Sequence, residues 1–167
     1  EQFPIIPERL VVEDSNAGYE FFKDIAEKSG IKCDSAAGKS KLFACLNKIE
    51  EETCVVADGA AIGAEMEKLY GLSLRRKNIK LYLPESFEWI ILNSGLIQEK
   101  GLEEILEQPE KFIDSQEFFS WERFFTDLLM KKSHGTYLQY NKRSLNKAYL
   151  QEKIKNKIVN TMSPIKL

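Results

Sequence analysis

A chain of 167 residues, 43% hydrophobic and 30% charged, carries enough apolar material for one well-buried core, which excludes a disordered polyelectrolyte. No stretch approaches the roughly eighteen apolar residues of a membrane span, and residues 1–7 lack the basic and apolar regions of a signal peptide, so a cytoplasmic location is expected. Three cysteines, Cys33, Cys45 and Cys54, are odd in number and lack paired ligand spacing, which predicts reduced thiols in place of a disulfide framework or zinc site.

The net charge of -2 conceals an asymmetry: residues 131–167 carry nine Lys or Arg against the single acid Glu152, a balance of +8 that leaves -10 on the remainder. With Tyr137, Tyr140 and Tyr149 interleaved, this basic segment has the charge to follow a phosphate backbone and the rings to stack on bases. The competing reading is a solvated helix that balances an acidic body.

In chain order, Leu10–Val12 is a short apolar run ending in Glu13 and Asp14, and helical spacing of Tyr19, Phe22, Ile25 and Ala26 predicts a helix over Ala17–Lys28 closed by Gly30. Asp14 or Ser15 is suited to cap that helix. A second strand is predicted at Ile31–Cys33, then a small-residue loop, Ser35 to Gly38, and a helix over Lys39–Ile49. Thr53–Ala57 reads as a third strand and Ala61–Tyr70 as the next helix. Ile79–Leu83, ended by Pro84, reads as a fourth strand. Helices are then expected over Ser86–Leu96, Leu102–Glu107, Phe118–Lys132 and Leu145–Ile158. Strands alternating with helices of this length predict an α/β fold, a largely parallel four-stranded sheet over residues 1–97, with residues 98–167 as a helical, basic extension packed on it.

The stretch Cys54 to Gly63 concentrates the functional signal. A buried parallel strand there delivers Asp58 to its carboxyl end, where open α/β sheets put their ligands, and Gly59 and Gly63 fit a tight turn into a helix start that favours anions. Gly38-Lys39-Ser40 has the form of the end of a phosphate-binding loop, but the first glycine of that pattern is Cys33 here and Asp34 follows it, which argues against a true nucleoside-triphosphate loop. Gly38 and Lys39 at a helix start remain candidates for a single phosphate. Trp89, Trp121 and the Phe pairs at 21–22, 118–119 and 124–125 are expected in packing roles, and His134, beside Gly135, in a surface turn.

The order Glu13 after strand one, Gly38 after strand two and Asp58-Gly59-Ala60-x-x-Gly63 after strand three resembles the Toprim domain of topoisomerases, bacterial primases and OLD-family nucleases. That domain places a glutamate, a glycine and a D-x-D motif at these strand ends; in this chain the second aspartate is replaced by Ala60. Pro84 to Trp89 followed by Pro109-Glu110-Lys111 is similar to compact Toprim-like proteins associated with phage defence. The resemblance implies Mg²⁺ or Mn²⁺ held by Glu13 and Asp58, with Glu88 as the added ligand or base, Glu85 and Glu65 as alternatives to it, and Lys111 or Lys39 facing a scissile phosphate. It implies a metal-dependent nuclease acting on DNA or RNA. The rival is an inactive module that binds nucleic acid or a protein partner, such as an ATPase, in a defence or regulatory complex; a third reading is a nucleotide- or phosphate-binding protein.

Overall fold

The computed structural model describes residues 6–113 and 120–162, apart from the Ala60 side chain. Four parallel strands, β1 (Arg9–Val12), β2 (Lys32–Ser35), β3 (Thr53–Val56) and β4 (Ile79–Tyr82), form one sheet in the order β2-β1-β3-β4. Burial explains their composition. All four residues of β3 are buried, so the strand is nearly all apolar, whereas β2 and β4 lie at the edges and admit Lys32, Asp34 and Lys80.

Alternation along the central strands divides the core in two. Leu10, Val12, Cys54 and Val56 face one side and pack with α1 (Ala17–Lys28). The same side holds α5 (Phe87–Asn93), α7 (Trp121–Ser133) and α8 (Glu152–Thr161). Val11, Val55 and Ala57 face the other side against α2 (Lys39–Leu46) and α4 (Met66–Arg75). The larger core contains an aromatic group in which the Phe21 and Phe87 rings lie 5.2 Å apart, and Phe125, Leu129 and Ile158 belong to the same cluster, so the C-terminal helices complete this core.

The strands fall within two residues of their expected limits, and α1 and α6 (Leu102–Glu107) match them. Two helices differ. The expected Ala61–Tyr70 helix is interrupted by Gly63 at φ +47°: α3 is the single turn Gly59–Ile62, followed by a 3₁₀ turn and α4, which runs on to Arg75. The expected Leu145–Ile158 helix starts only at Glu152, after a 3₁₀ turn at Lys147–Leu150. Asn146 explains the shift. Its side chain accepts from the Ala148 amide at 3.0 Å and donates to the carbonyls of Tyr137 at 2.9 Å and Gln139 at 3.1 Å, which folds the chain back in place of a helix. Phe118 and Phe119 lie outside the described residues; Phe21, Phe22, Phe124 and Phe125 are buried, Trp89 packs against the larger core, and Trp121 is 38% exposed. His134 is exposed at the end of α7. Among the described residues no helix is long and apolar enough to cross a membrane.

Candidate functional site

The connection from β1 to β2 passes through α1 on one face, and the connection from β2 to β3 passes through α2 on the other, so the carboxyl ends of β1 and β3 flank the point where the winding reverses. Open α/β sheets form their ligand crevice there. In this chain an open cleft is lined by Glu13, Asp14, Gly38, Lys39, Asp58, Glu122 and Lys142. Glu13 follows β1 directly, and its amide donates to the Val56 carbonyl at 2.9 Å; Asp58 stands two residues beyond β3.

The period of two that builds the core also distributes the acids. Glu13 continues the side of Val11, and its carboxylate accepts from the backbone amide of Lys39 at the start of α2. Asp14 continues the side of Val12 and accepts from the amides of Tyr19, at 3.0 Å, and Asn16, so it caps α1 as expected. Asp58 continues the side of Val56, toward α5 and α7, and its side chain makes no cap hydrogen bond. The capping role that would explain Asp58 without function is therefore missing.

Burial pushes the Asp58 carboxyl well above the ordinary carboxylate value, and the charges of Glu88, Glu122 and Asp14 push it further. Glu13 is raised by burial and by Asp14 and Glu122, against partial relief from the Lys39 amide and Lys142. Asp14 is also raised, with burial the leading cause. Burial alone would lower Lys142, but Glu88, Glu122 and Asp58 reverse this and leave its ammonium raised. Asp58 thus lies in the field of Glu88, Glu122 and Asp14, and Glu13 in that of Asp14 and Glu122, with the half-buried Lys142 among them.

The expected site residues separate into those the cleft gathers and those it does not. Glu13, Asp58, Gly38 and Lys39 line it. Glu88 lies beneath, 2% exposed on α5, and accepts a 2.8 Å hydrogen bond from the Tyr140 hydroxyl; Glu85 is exposed, and Glu65 pairs with Lys68 at 3.4 Å. Lys111 is exposed on a 3₁₀ turn after α6 and does not line the cleft.

The expected phosphate-binding residues are engaged within the chain. The Gly59 amide is donated to the Pro84 carbonyl at 2.6 Å, and a Cβ at this position would stand 2.9 Å from the Leu83 carbonyl oxygen, so close approach to the end of β4 is what demands glycine. Gly63 supplies a positive φ at the break between α3 and the 3₁₀ turn. The Gly38 amide donates to the Glu13 carbonyl at 2.8 Å, the Lys39 amide to the Glu13 carboxylate, and the Lys39 ammonium to the Ala61 carbonyl at 2.9 Å. The anion at the start of α2 is Glu13 itself.

Lys142 and Glu122 were not singled out by sequence. Lys142 is one of nine cations in a basic segment and Glu122 sits in the first turn of α7; neither has a local motif, and only the fold brings them to Glu13 and Asp58. Among the described residues no group of three or more His, Cys, Asp or Glu side chains is placed to hold a metal ion. The alternation described above is the physical reason: Glu13 leans toward α2 while Asp58 leans toward α5 and α7. Hard carboxylate oxygens suit Mg²⁺ or Mn²⁺, which retain several waters and need only one or two carboxylates, and Glu13 and Asp58 are the two acids of the expected ligand set that line the cleft. No protein-family model, curated protein or solved structure matches the chain.

Proposed function

We propose that the chain is a Toprim-like enzyme that cleaves phosphodiester bonds of nucleic acid with Mg²⁺ or Mn²⁺. The observation that carries this reading is the pair Glu13 and Asp58, two half-buried carboxylates, each raised by burial and by neighbouring acids, at the carboxyl ends of the two central strands in one open cleft. Both would hold the cation, through oxygen and retained water. Bound there, such an ion supplies a more acidic water and offsets charge developing at phosphorus. Glu88, from below, is one of the acids that raise Asp58. With Ala60 where an acid would complete D-x-D, the residues suit one ion better than two.

One set of contacts favours a second reading, a module that binds nucleic acid or a protein partner, such as a defence-associated ATPase, without cleaving. Glu88 is held by Tyr140, Glu122 by Lys142, Asp14 by the Tyr19 and Asn16 amides and Glu13 by the Lys39 amide, so four of the five acids are engaged within the chain. Labelled DNA and RNA incubated with Mg²⁺, Mn²⁺ or EDTA, using wild type, Glu13→Ala and Asp58→Ala, separate the two. The enzyme predicts metal-dependent products lost in both variants. Binding without products in any condition supports the module.

A further inference from the structure

Lys142 is placed with care. Its carbonyl accepts from the Ala17 amide at 3.0 Å, which fixes the main chain against the start of α1. Two residues earlier the Tyr140 hydroxyl donates to Glu88, so the buried Tyr140 and the half-buried Lys142 point inward while Asn141 and Arg143 are exposed. The Lys142 ammonium lines the cleft with a side chain 31% exposed and is paired to the Glu122 carboxylate from the first turn of α7.

An ammonium has three N–H donors, and among the described residues Glu122 is the one acceptor Lys142 reaches. The other cation of the cleft, Lys39, is exposed and bonded to the Ala61 carbonyl, whereas Lys142 is half-buried in the field of Glu88, Glu122 and Asp58. A phosphodiester entering a cleft with this excess of carboxylates meets repulsion, and the side chain equipped to offset it is Lys142.

We propose that Lys142 is the phosphate-binding cation of the cleft, and that Glu122 is a positioning residue which holds the ammonium until a substrate phosphate takes its place. The proposal rests on the reading of the cleft as a nucleic-acid site. Glu122 thereby sets the affinity: a phosphate that binds competes with a carboxylate already in contact with the ammonium. The exchange moves no covalent bond. One charge-assisted hydrogen bond is replaced by another.

The test is a double-mutant cycle on binding of a fluorescein-labelled single-stranded 12-mer, followed by anisotropy in EDTA so that cleavage plays no part. Lys142→Met should weaken binding roughly tenfold, the scale of one charge-assisted contact. The slope of log affinity against log salt should fall by about 0.7, one phosphate on a single strand. Glu122→Gln should tighten binding, and that gain should vanish when Lys142→Met is also present, because it acts through the lysine. Lys142→Arg, which keeps the charge, should retain the salt slope, and thermal unfolding of each variant checks folding. An unchanged slope in Lys142→Met, an equal gain from Glu122→Gln with and without Lys142, or no oligonucleotide binding by the wild type overturns the proposal. Binding that follows the predicted cycle while no nucleic acid is ever cleaved leaves the Lys142 assignment standing and removes only the nuclease.

Discussion

The Tyr140 hydroxyl donates to Oε1 of Glu88 at 2.8 Å, joining the C-terminal extension to the acid beneath the cleft. The contact accounts for a carboxylate that is 2% exposed in a cluster of like charges. Tyr140→Phe removes the donor and leaves the acid buried, which costs about 1–3 kcal/mol. In a chain of this size that lowers the melting temperature by roughly 2–12 °C. Glu88→Gln keeps an acceptor and should show a smaller loss, measured by differential scanning calorimetry.

Asp58 should make the fold less stable as pH rises. Its folded value is raised, so its contribution is present below the ordinary carboxylate value and is lost as pH climbs through the raised one; Glu13 and Asp14 act with the same sign. Asp58→Asn should match wild type near pH 4 and exceed it at neutral pH, by roughly 2–4 °C for each kcal/mol relieved. Glu51 acts with the opposite sign. Its hydrogen bond from Arg9 holds the carboxyl down to about 2, so that contribution is present above the ordinary value and fades as pH falls toward about 2. Thermal melts from acid to neutral pH read both effects; equal curves for wild type and Asp58→Asn would contradict the Asp58 assignment.

Gly59→Ala drives a Cβ to 2.9 Å from the Leu83 carbonyl oxygen and 3.1 Å from that of Pro84. Backbone cannot yield as a side-chain tip can, so the expected loss is about 1–3 kcal/mol. The turn that carries Asp58 must also shift. Chemical denaturation should show the loss in the midpoint, with the slope unchanged.

Burial pushes the thiols of Cys33 and Cys54 up to about 12, leaving little thiolate at pH 8. Iodoacetamide at that pH should modify neither in the folded protein, and both after unfolding in guanidinium. Mass spectrometry of peptides containing each cysteine reads the result.

The sheet was legible because its signals are local. Leu10–Val12 and Thr53–Ala57 are apolar runs bounded by polar residues, and the periodicity of Ala17–Lys28 belongs to that segment alone. Strand-end logic likewise brought Glu13 and Asp58 to one cleft, since parallel strands end on one edge. The helix breaks were harder. Gly63 interrupts a continuous helical pattern through its own φ, and Asn146 does so through bonds to Tyr137 and Gln139, nine and seven residues upstream and outside the expected helix. Lys142 and Glu122 lay beyond sequence for the same reason: their meeting depends on α7 and the 140–142 segment packing over the sheet edge, a tertiary event without a spacing rule. Lys111 shows the reverse, a residue with an attractive local context that the fold leaves outside the cleft.

The central claim is that Glu13 and Asp58 together hold a divalent cation. Titration with Mn²⁺, reading the free ion by electron paramagnetic resonance, tests it without reference to any substrate. The account predicts about one Mn²⁺ per wild-type chain, as two carboxylates with retained waters would hold. Affinity should fall at least roughly tenfold in each of Glu13→Gln and Asp58→Asn. Absence of Mn²⁺ binding by the wild type, or binding that survives in the Glu13→Gln/Asp58→Asn double variant, would contradict it.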